Sequence, residues 1–196
     1  HSFEKGLCLR LKEVKDFFVF GCTVALRFSD LNSLRKTNIR EVNGVYYLYV
    51  RSQKTGQDTL VKLPPYAVAI TKRYAKLRGR LLPFFSLSVF NKYVKLLLEK
   101  AGFTQPVKLT RNRRGRTLDI KCSDAMRNFR LCDLASSHMM RRTAITTMLS
   151  LGVPEQIVRK ISGHSPNSRD FYRYVFWSQT VQDRQTEQMF EKLADQ

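Results

Sequence analysis

The sequence predicts an α+β fold that is mainly helical and contains one small three-stranded antiparallel sheet. Two observations support this prediction. Apolar residues recur at helical spacing in several segments, whereas the residues from Val42 to Leu63 alternate with a period of two around two turn signals. The chain has 196 residues, of which 43% are hydrophobic, so it can bury a sizeable core. No internal repeat or low-complexity linker interrupts it.

The charge of the chain is strongly one-sided. It contains 35 Lys and Arg residues against 16 Asp and Glu residues, which gives a formal net charge of +19. A field of this sign attracts polyanions and speeds their encounter with the protein. We therefore expect a nucleic acid as the partner, and a basic protein without a functional polyanion is the alternative.

The spacing of the cysteines argues against a disulfide-stabilised or zinc-binding protein, and the length of the apolar runs argues against a membrane protein. Cys8, Cys22, Cys122 and Cys132 show no C-x-x-C spacing, so we expect reduced, structural thiols rather than disulfides or a zinc site. The longest apolar stretch, Phe17–Leu26, is too short to span a bilayer. We accordingly expect no membrane association.

Two helices are predicted at the start of the chain. Apolar residues at helical spacing predict a mostly buried helix over Lys12–Ala25, and Ser29 can cap a short second helix over Asp30–Leu34. Arg27 then falls at the junction of the two helices, within reach of the Asp30 carboxylate. The alternative for Arg27 is a solvated surface arginine.

The predicted sheet follows these helices. Asn43-Gly44 is a strong tight-turn signal, Val45–Arg51 is rich in β-branched and aromatic residues, and Thr59–Leu63 alternates again after a second turn at Lys54–Gln57. Lys54 lies at the tip of the second hairpin. From the residues alone, an ordinary polar turn lysine is the better interpretation of this position.

The middle of the chain combines helices with a cationic segment. Amphipathic helices are predicted over Tyr66–Leu77 and Ser86–Ala101, and Pro106–Ile120 has an extended pattern. Within it lies a dense cationic loop that carries Arg111, Arg113, Arg114 and Arg116. Such a run is usually a solvated face, but in a chain this basic a phosphate-contacting loop is at least as well supported. The segment Ser123–Leu134 has no clear pattern.

Candidate chemical groups concentrate near the end of the chain. Ser136 or Ser137 can cap a helix that ends at Gly152 and presents His138 and Arg141 on one face. Pro154 opens the next helix, which Gly163 closes just before His164, with Ile157, Val158 and Ile161 facing inward. The aromatic segment Asp170–Trp177 carries Tyr172 and Tyr174, and Thr180–Ala194 is a last amphipathic helix. Cations, imidazoles and phenols close to a helix N-terminus favour chemistry on an anion.

Five motifs occur in order along nearly the whole chain. They are ALRFSDL at Ala25–Leu31, SQKTGQ at Ser52–Gln57, HMMRRT at His138–Thr143, SGH at Ser162–His164 and FYRYV at Phe171–Val175. With them, the chain resembles the catalytic domain of tyrosine recombinases, the phage integrase family, and most of all the integrases of conjugative transposons. The resemblance implies one catalytic domain over residues 1–196. It implies a bacterial, cytoplasmic, nucleoid-associated recombinase that integrates or excises a mobile element through a covalent 3′-phosphotyrosyl intermediate.

The resemblance also implies roles for the candidate residues. Arg27, supported by Asp30, and Arg141 would clamp the scissile phosphate, and His164 would hydrogen-bond it. Lys54 would protonate the leaving 5′ oxygen, and His138 would assist proton transfer. Preplaced cations and donors of this kind oppose the charge that develops on phosphate oxygens in the transition state.

The nucleophile implied by the resemblance is Tyr174. The family's tyrosine commonly lies nine residues after the second histidine, whereas Tyr172 lies eight and Tyr174 ten residues after His164. A loop one residue longer places Tyr174 in the expected context, with Val175 following. Tyr172 is the alternative nucleophile, and a core or stacking role is its other interpretation.

Partners follow from the same resemblance. We expect the chain to bind double-stranded DNA, to assemble on it as a homotetramer and to act with accessory DNA-bending proteins. We expect it to need neither a cofactor nor a metal. Residues 178–196 would form a C-terminal helix that docks on a neighbouring protomer or on its own domain. Family members carry a smaller DNA-binding domain ahead of this one, so we expect a catalytic-domain fragment or a truncated relative. A type IB topoisomerase and a non-catalytic DNA-binding relative are the alternative functions.

Overall fold

The computed structural model describes residues 6–51, 56, 58–113, 116–120, 128–165, 168–176, 183, 186, 187, 190 and 191. It forms two compact units, each made of two segments of the chain. The first unit consists of His1–Phe18 and Phe85–Ser137, and the second of Val19–Phe84 and His138–Gln196. The predictions for Lys54, for Arg114, for Cys122 and for most of the helix Thr180–Ala194 fall outside the described residues.

The predicted α+β fold, mainly helical with a small three-stranded antiparallel sheet, is confirmed. In chain order the elements are α1 (Leu9–Val24), α2 (Phe28–Asn32), β1 (Ile39–Val42), β2 (Val45–Arg51), β3 (Asp58–Lys62), α3 (Pro65–Arg73), α4 (Leu87–Lys100), β4 (Pro106–Val107), β5 (Leu109–Arg113), β6 (Arg116–Ile120), β7 (Phe129–Arg130), α5 (Ser137–Ser150), α6 (Glu155–Ser162) and α7 (Arg169–Phe176). No helix within these described ranges is long and apolar enough to cross a membrane.

The core of the first unit is built around three phenylalanines. The rings of Phe17, Phe85 and Phe90 are fully or almost fully buried, with centroids 5.1 to 5.7 Å apart. Such edge-on and tilted arrangements match the electrostatics of aromatic rings. They fix α4 against Phe17 in the middle of α1. Ser86 caps α4 by accepting from the Val89 N–H.

Arg130 makes polar contacts in the described part of the segment that has no clear sequence pattern. Its strand β7 pairs with β4, and the residues Leu131–Leu134 form a 3₁₀ turn. Arg130 donates to the carboxylates of Asp133, at 3.0 Å, and Glu99, at 2.5 Å. Asp133 is only three residues from Arg130, but Glu99 is 31 residues away, so no local pattern could predict the second contact.

The extended segment with the cationic loop forms a β-hairpin. β5 and β6 pair in antiparallel register from Leu109 opposite Ile120 to Arg113 opposite Arg116. Arg111 lies opposite Leu118, and both side chains are exposed. The prediction of extended structure is confirmed, while the side chains of Arg113 and Arg116 lie outside the described residues.

The sheet of the second unit is the predicted meander, in the order β1-β2-β3. It begins at Ile39, three residues earlier than predicted. The first strand pairs with β2 from Ile39 opposite Leu48 to Val42 opposite Val45, across the Asn43-Gly44 turn. Both turn residues have positive φ, 50° and 75°, as a two-residue hairpin turn requires. β3 packs on α6, and Thr59 Oγ1 donates to the Lys160 carbonyl. The sheet therefore supports the helix that leads to His164.

Two helices of the second unit differ from their predicted boundaries. The predicted second short helix is present, but its predicted bounds Asp30–Leu34 and its Ser29 cap are wrong, because α2 runs over Phe28–Asn32. Arg27 is the N-cap residue, since its backbone is extended and its carbonyl accepts from the Leu31 N–H. α3 ends at Arg73, where Tyr74 leaves helical geometry, rather than at Leu77.

The inward face of α6 also differs from the prediction. Ile157, predicted to face inward, is 49% exposed, whereas Val158 and Ser162 are buried and Ile161 is partly buried. Val158, Ile161 and Ser162 lie three and four positions apart and form the buried face of α6. Ile157 lies next to Val158 in sequence and falls at the edge of this face, so it is half exposed.

Candidate active site

Arg141 is the central residue of the candidate site. It lies on α5 and is only 5% exposed. Its Nη1 donates to the carbonyl oxygen of Ala25, at 2.9 Å. Ala25 follows the end of α1 and has a φ of 57°, a left-handed conformation that is uncommon for a residue with a side chain. This turn directs the Ala25 carbonyl toward the guanidinium and fixes one side of it.

The other side of the guanidinium contacts His164. Arg141 Nη2 lies 3.1 Å from Nε2 and 3.2 Å from Nδ1 of the imidazole ring. His164 directly follows Gly163, which ends α6 with a φ of 65° and so turns the chain toward α5. The structure thus brings together a cation and an imidazole that are 23 residues apart in sequence.

Tyr174 belongs to the same cluster, whereas Tyr172 does not. The ring of Tyr174 lies 5.9 Å from that of His164 and 6.0 Å from that of Phe171, measured between centroids. Tyr174 is 8% exposed and packs in the apolar core formed by α5, α6 and α7, whereas Tyr172 is 57% exposed. Successive side chains on α7 point in different directions, so only one of the two phenols faces Arg141 and His164.

Arg27 and Asp30 complete the charge distribution around Arg141. Burial is the main cause that lowers the pKa of Arg141 to about 10, and the positive charge of Arg27 lowers it further. Tyr174 and the buried carboxylate of Asp30 act in the opposite direction. At neutral pH the guanidinium keeps its charge, so the site holds two neighbouring cations at its centre.

His138 lies at the start of α5 and is exposed. Partial desolvation, followed by the charges of Arg142 and Arg141, lowers the pKa of His138 below its usual value. The ring is consequently neutral at neutral pH and has a lone pair available to accept a proton.

Two buried polar residues of α6, Arg159 and Ser162, contact the site but were not predicted from the sequence as site residues. Arg159 is buried, its Nε donates to Glu155 and its Nη1 donates to the Ser165 carbonyl. Its guanidinium carbon lies 4.1 Å from the centroid of the Phe171 ring. Arg159 therefore joins the end of α6 to α7 and helps to place both His164 and Tyr174. The four-residue spacing of Glu155 and Arg159 was the available sequence signal.

The structure therefore brings together five of the predicted site residues, which are Arg27, Asp30, Arg141, His164 and Tyr174. His138 stands one turn before Arg141 on the same helix. Lys54 lies outside the described residues, and Arg111 belongs to the other compact unit. Among the residues that the structure describes, no group of three His, Cys, Asp or Glu side chains could hold a metal ion.

Comparison with known proteins gives a family match and several structural matches. The family model described as the phage integrase family matches residues 12–180. No curated protein matches the sequence significantly. The XerH site-specific recombinase, bound to a palindromic difH substrate in a post-cleavage complex, matches with a TM-score of 0.61 and 13% identity. That alignment covers 96% of this chain and 48% of XerH.

Two further solved structures have the same fold. The XerA recombinase matches with a TM-score of 0.55 and 16% identity, over 91% of this chain and 61% of that protein. The Tn1549 transposon integrase, residues 82–397 in complex with circular intermediate DNA, matches with a TM-score of 0.53 and 17% identity. That alignment covers 88% of this chain and 56% of the integrase. The chain thus spans about half the length of the recombinases that it matches.

Proposed function

Because the chain belongs to the phage integrase family, we propose that it cuts and rejoins DNA strands at specific sites through a covalent 3′-phosphotyrosyl intermediate. The observation that carries this proposal is the cluster of Arg141, His164 and Tyr174. It combines a buried cation, an imidazole in contact with it and a phenol whose ring lies 5.9 Å from that imidazole. These are the groups that a transesterification at a phosphodiester needs.

In the proposed reaction the oxygen of Tyr174 attacks the phosphorus of a DNA phosphodiester. The new P–O bond to tyrosine forms as the bond to the 5′ oxygen breaks, and the leaving oxygen takes up a proton. In the second step a 5′ hydroxyl attacks the phosphotyrosine, restores the phosphodiester and releases the phenol. Because the number of phosphoester bonds stays constant, rejoining requires no external energy source.

Arg141, Arg27 and His164 would oppose the negative charge that accumulates on the phosphate oxygens in both steps. A phenol has an ordinary pKa of about 10, so it is a weak nucleophile at neutral pH unless a base and nearby cations assist it. Neutral His138 is suited to accept a proton. Lys54 is proposed as the general acid from the family resemblance alone.

Double-stranded DNA is the partner that we propose. The net charge of +19 supports it, and the β5–β6 hairpin adds an exposed cation at Arg111. The XerH structure contains a bound palindromic difH substrate, and the Tn1549 integrase structure contains circular intermediate DNA. By analogy we propose that the chain acts in the integration or excision of a mobile element and assembles as a tetramer on DNA. Residues 178–196 would then dock between protomers, and a preceding DNA-binding domain would contribute to the complete recombinase.

Covalent trapping on a nicked suicide duplex that carries the element's own ends tests this function. We expect the parent chain to form a protein–DNA band that resists denaturation. Tyr174→Phe should abolish the band, and Tyr172→Phe should keep it, because Tyr172 is exposed and lies outside the cluster. These two phenols are a matched pair, since the same single oxygen is removed from the exposed and the buried side of one helix.

If only Tyr172→Phe lost the band, the proposed chemistry would stand, but Tyr172 rather than Tyr174 would be the nucleophile. The same assay should be repeated with a longer chain that includes a preceding domain. If both chains bind the duplex but neither forms the band, the protein is a non-catalytic DNA-binding relative and the proposed activity is refuted.

A further inference from the structure

His164 makes polar contacts that determine which of its ring nitrogens carries the proton. Ser162 Oγ lies 2.7 Å from His164 Nδ1 and also 2.7 Å from the carbonyl oxygen of Val158. A longer contact of 3.3 Å joins the same Oγ to the Arg159 carbonyl. Ser162 is buried at the end of α6, so these contacts lie in a place that excludes bulk water.

Counting the available hydrogens assigns the proton. Two electronegative atoms 2.7 Å apart attract each other only when a hydrogen lies between them. The carbonyl oxygens have no hydrogen, so the single hydroxyl hydrogen of Ser162 is directed at the Val158 carbonyl. The hydrogen between Ser162 Oγ and His164 must then belong to Nδ1. Arg141 Nη2 lies 3.1 Å from Nε2 and 3.2 Å from Nδ1. Because Nδ1 then carries the proton directed at Ser162, Nε2 is the ring nitrogen of neutral His164 that can accept from Arg141.

We propose that Ser162 is a positioning residue for His164, because it holds the imidazole ring and fixes the tautomer that is protonated on Nδ1. Neutral histidine in water favours the other tautomer, with the proton on Nε2. The hydroxyl of Ser162 therefore reverses the intrinsic preference of the ring. As a result, Nε2 presents its lone pair to Arg141 Nη2.

The tautomer has a consequence for phosphate binding. With Nδ1–H directed at Ser162, Nε2 can donate to a phosphate oxygen only after the ring takes up a proton. The titratable groups around the ring include Arg141 on α5 and Tyr174 on α7. The cation opposes a second positive charge on the ring, whereas a phosphate between the two would favour it. This step rests on the proposed function, but the assignment of the tautomer does not.

The tautomer can be measured directly in the 196-residue chain with ¹⁵N-labelled histidine. Two-bond ¹H–¹⁵N spectra at about pH 8, where histidine rings are neutral, distinguish a protonated from an unprotonated ring nitrogen. His164→Gln assigns the signals, because it removes one of three histidines. We expect the Nδ1–H pattern for His164 in the parent and in Ser162→Thr. In Ser162→Ala we expect the Nε2–H pattern, because Nδ1, which lies 3.2 Å from Arg141 Nη2, can then accept from the guanidinium in place of Nε2.

Thr146→Ala is the matched control. Thr146 Oγ1 donates to the Arg142 carbonyl, four residues earlier, as Ser162 does, and its second contact is the Thr143 carbonyl rather than a ring. This variant should keep the parental tautomer. An Nε2–H pattern in the parent, or an unchanged Nδ1–H pattern in Ser162→Ala, would overturn the proposal.

Covalent trapping then tests the role of the tautomer in the reaction. We expect Ser162→Ala to form the protein–DNA band about tenfold more slowly, the usual effect of one lost hydrogen bond, and Ser162→Thr to restore the rate. A parental rate in Ser162→Ala despite a changed tautomer would overturn the positioning role. If the parent forms no band, the proposed function fails, and the spectra alone decide the assignment of Ser162.

Discussion

Gly21 provides a sharp test of how the site is assembled. It lies inside α1, where the missing side chain makes room for Met140 of α5. A Cβ on Gly21 would lie 2.5 Å from Met140 Sδ, 3.1 Å from Met140 Cβ and 3.0 Å from Leu31 Cδ2. The sulfur can move by rotation of the side chain, but Met140 Cβ is fixed by the helix backbone. We therefore expect Gly21→Ala to push the two helices apart.

Two opposing effects set the size of the change in stability. Alanine in a helix interior is favoured over glycine by about 1 kcal/mol. Overpacking of a buried contact costs about 1 to 3 kcal/mol. We expect a net loss of about 1 kcal/mol in the free energy of unfolding, which for a chain of this size lowers Tm by about 2 to 4 °C. Because Met140 directly precedes Arg141, covalent trapping should slow as well.

Urea denaturation of the parent and the variants measures this effect. Gly6→Ala is the control, since a Cβ at Gly6 meets nothing within 4 Å. Gly21→Ala should destabilise less in a Met140→Ala background, because the obstructing side chain is then absent. If Gly21→Ala instead stabilises the parent by about 1 kcal/mol, as at an unobstructed helical position, the close contact is not what places Arg141.

Two further predictions follow from pKa shifts. The lowered pKa of His138 means that the unfolded chain binds its proton at a higher pH than the folded one, so the unfolding free energy of the parent should fall faster than that of His138→Gln below about pH 6.5. Parallel pH profiles in urea denaturation would contradict this. Burial raises the pKa of Cys22 to about 12, whereas Cys8 is exposed, so alkylation followed by peptide mapping should modify Cys8 first. Equal rates would show that the end of α1 opens in the folded state.

The sheet could be predicted from the sequence because its signals are local. Asn43-Gly44 demands a turn with two positive φ angles, and β-branched and aromatic residues flank it. The helix boundaries were harder to predict from the sequence. Ser29 is a good cap in isolation, but the chain enters α2 from Arg27, whose extended backbone is set by its surroundings. Tertiary contacts thus outweighed a local preference of about 1 kcal/mol.

The candidate site was predictable only in part, for a related reason. His138 and Arg141 share a helix face, so their spacing alone places them together. The approach of Tyr174 rather than Tyr172 depends on how α7 packs against α5 and α6, and the loop between His164 and α7 hides that register from the sequence. The roles of Arg159 and Ser162 were missed because each depends on the direction of a hydrogen bond at the end of a short helix.

The partners of Arg141 explain why a strained turn lies beside it. A carboxylate bonded directly to this buried guanidinium would stabilise the fold, but it would also repel a phosphate and occupy the donors that a phosphate needs. The carbonyl of Ala25 orients the guanidinium and has no net charge. Reaching it requires the left-handed backbone at Ala25, which costs about 1 to 2 kcal/mol. The strain at Ala25 and the close packing at Gly21 therefore serve one arrangement, a guanidinium held by a neutral carbonyl, which is what the proposed binding of a phosphate requires.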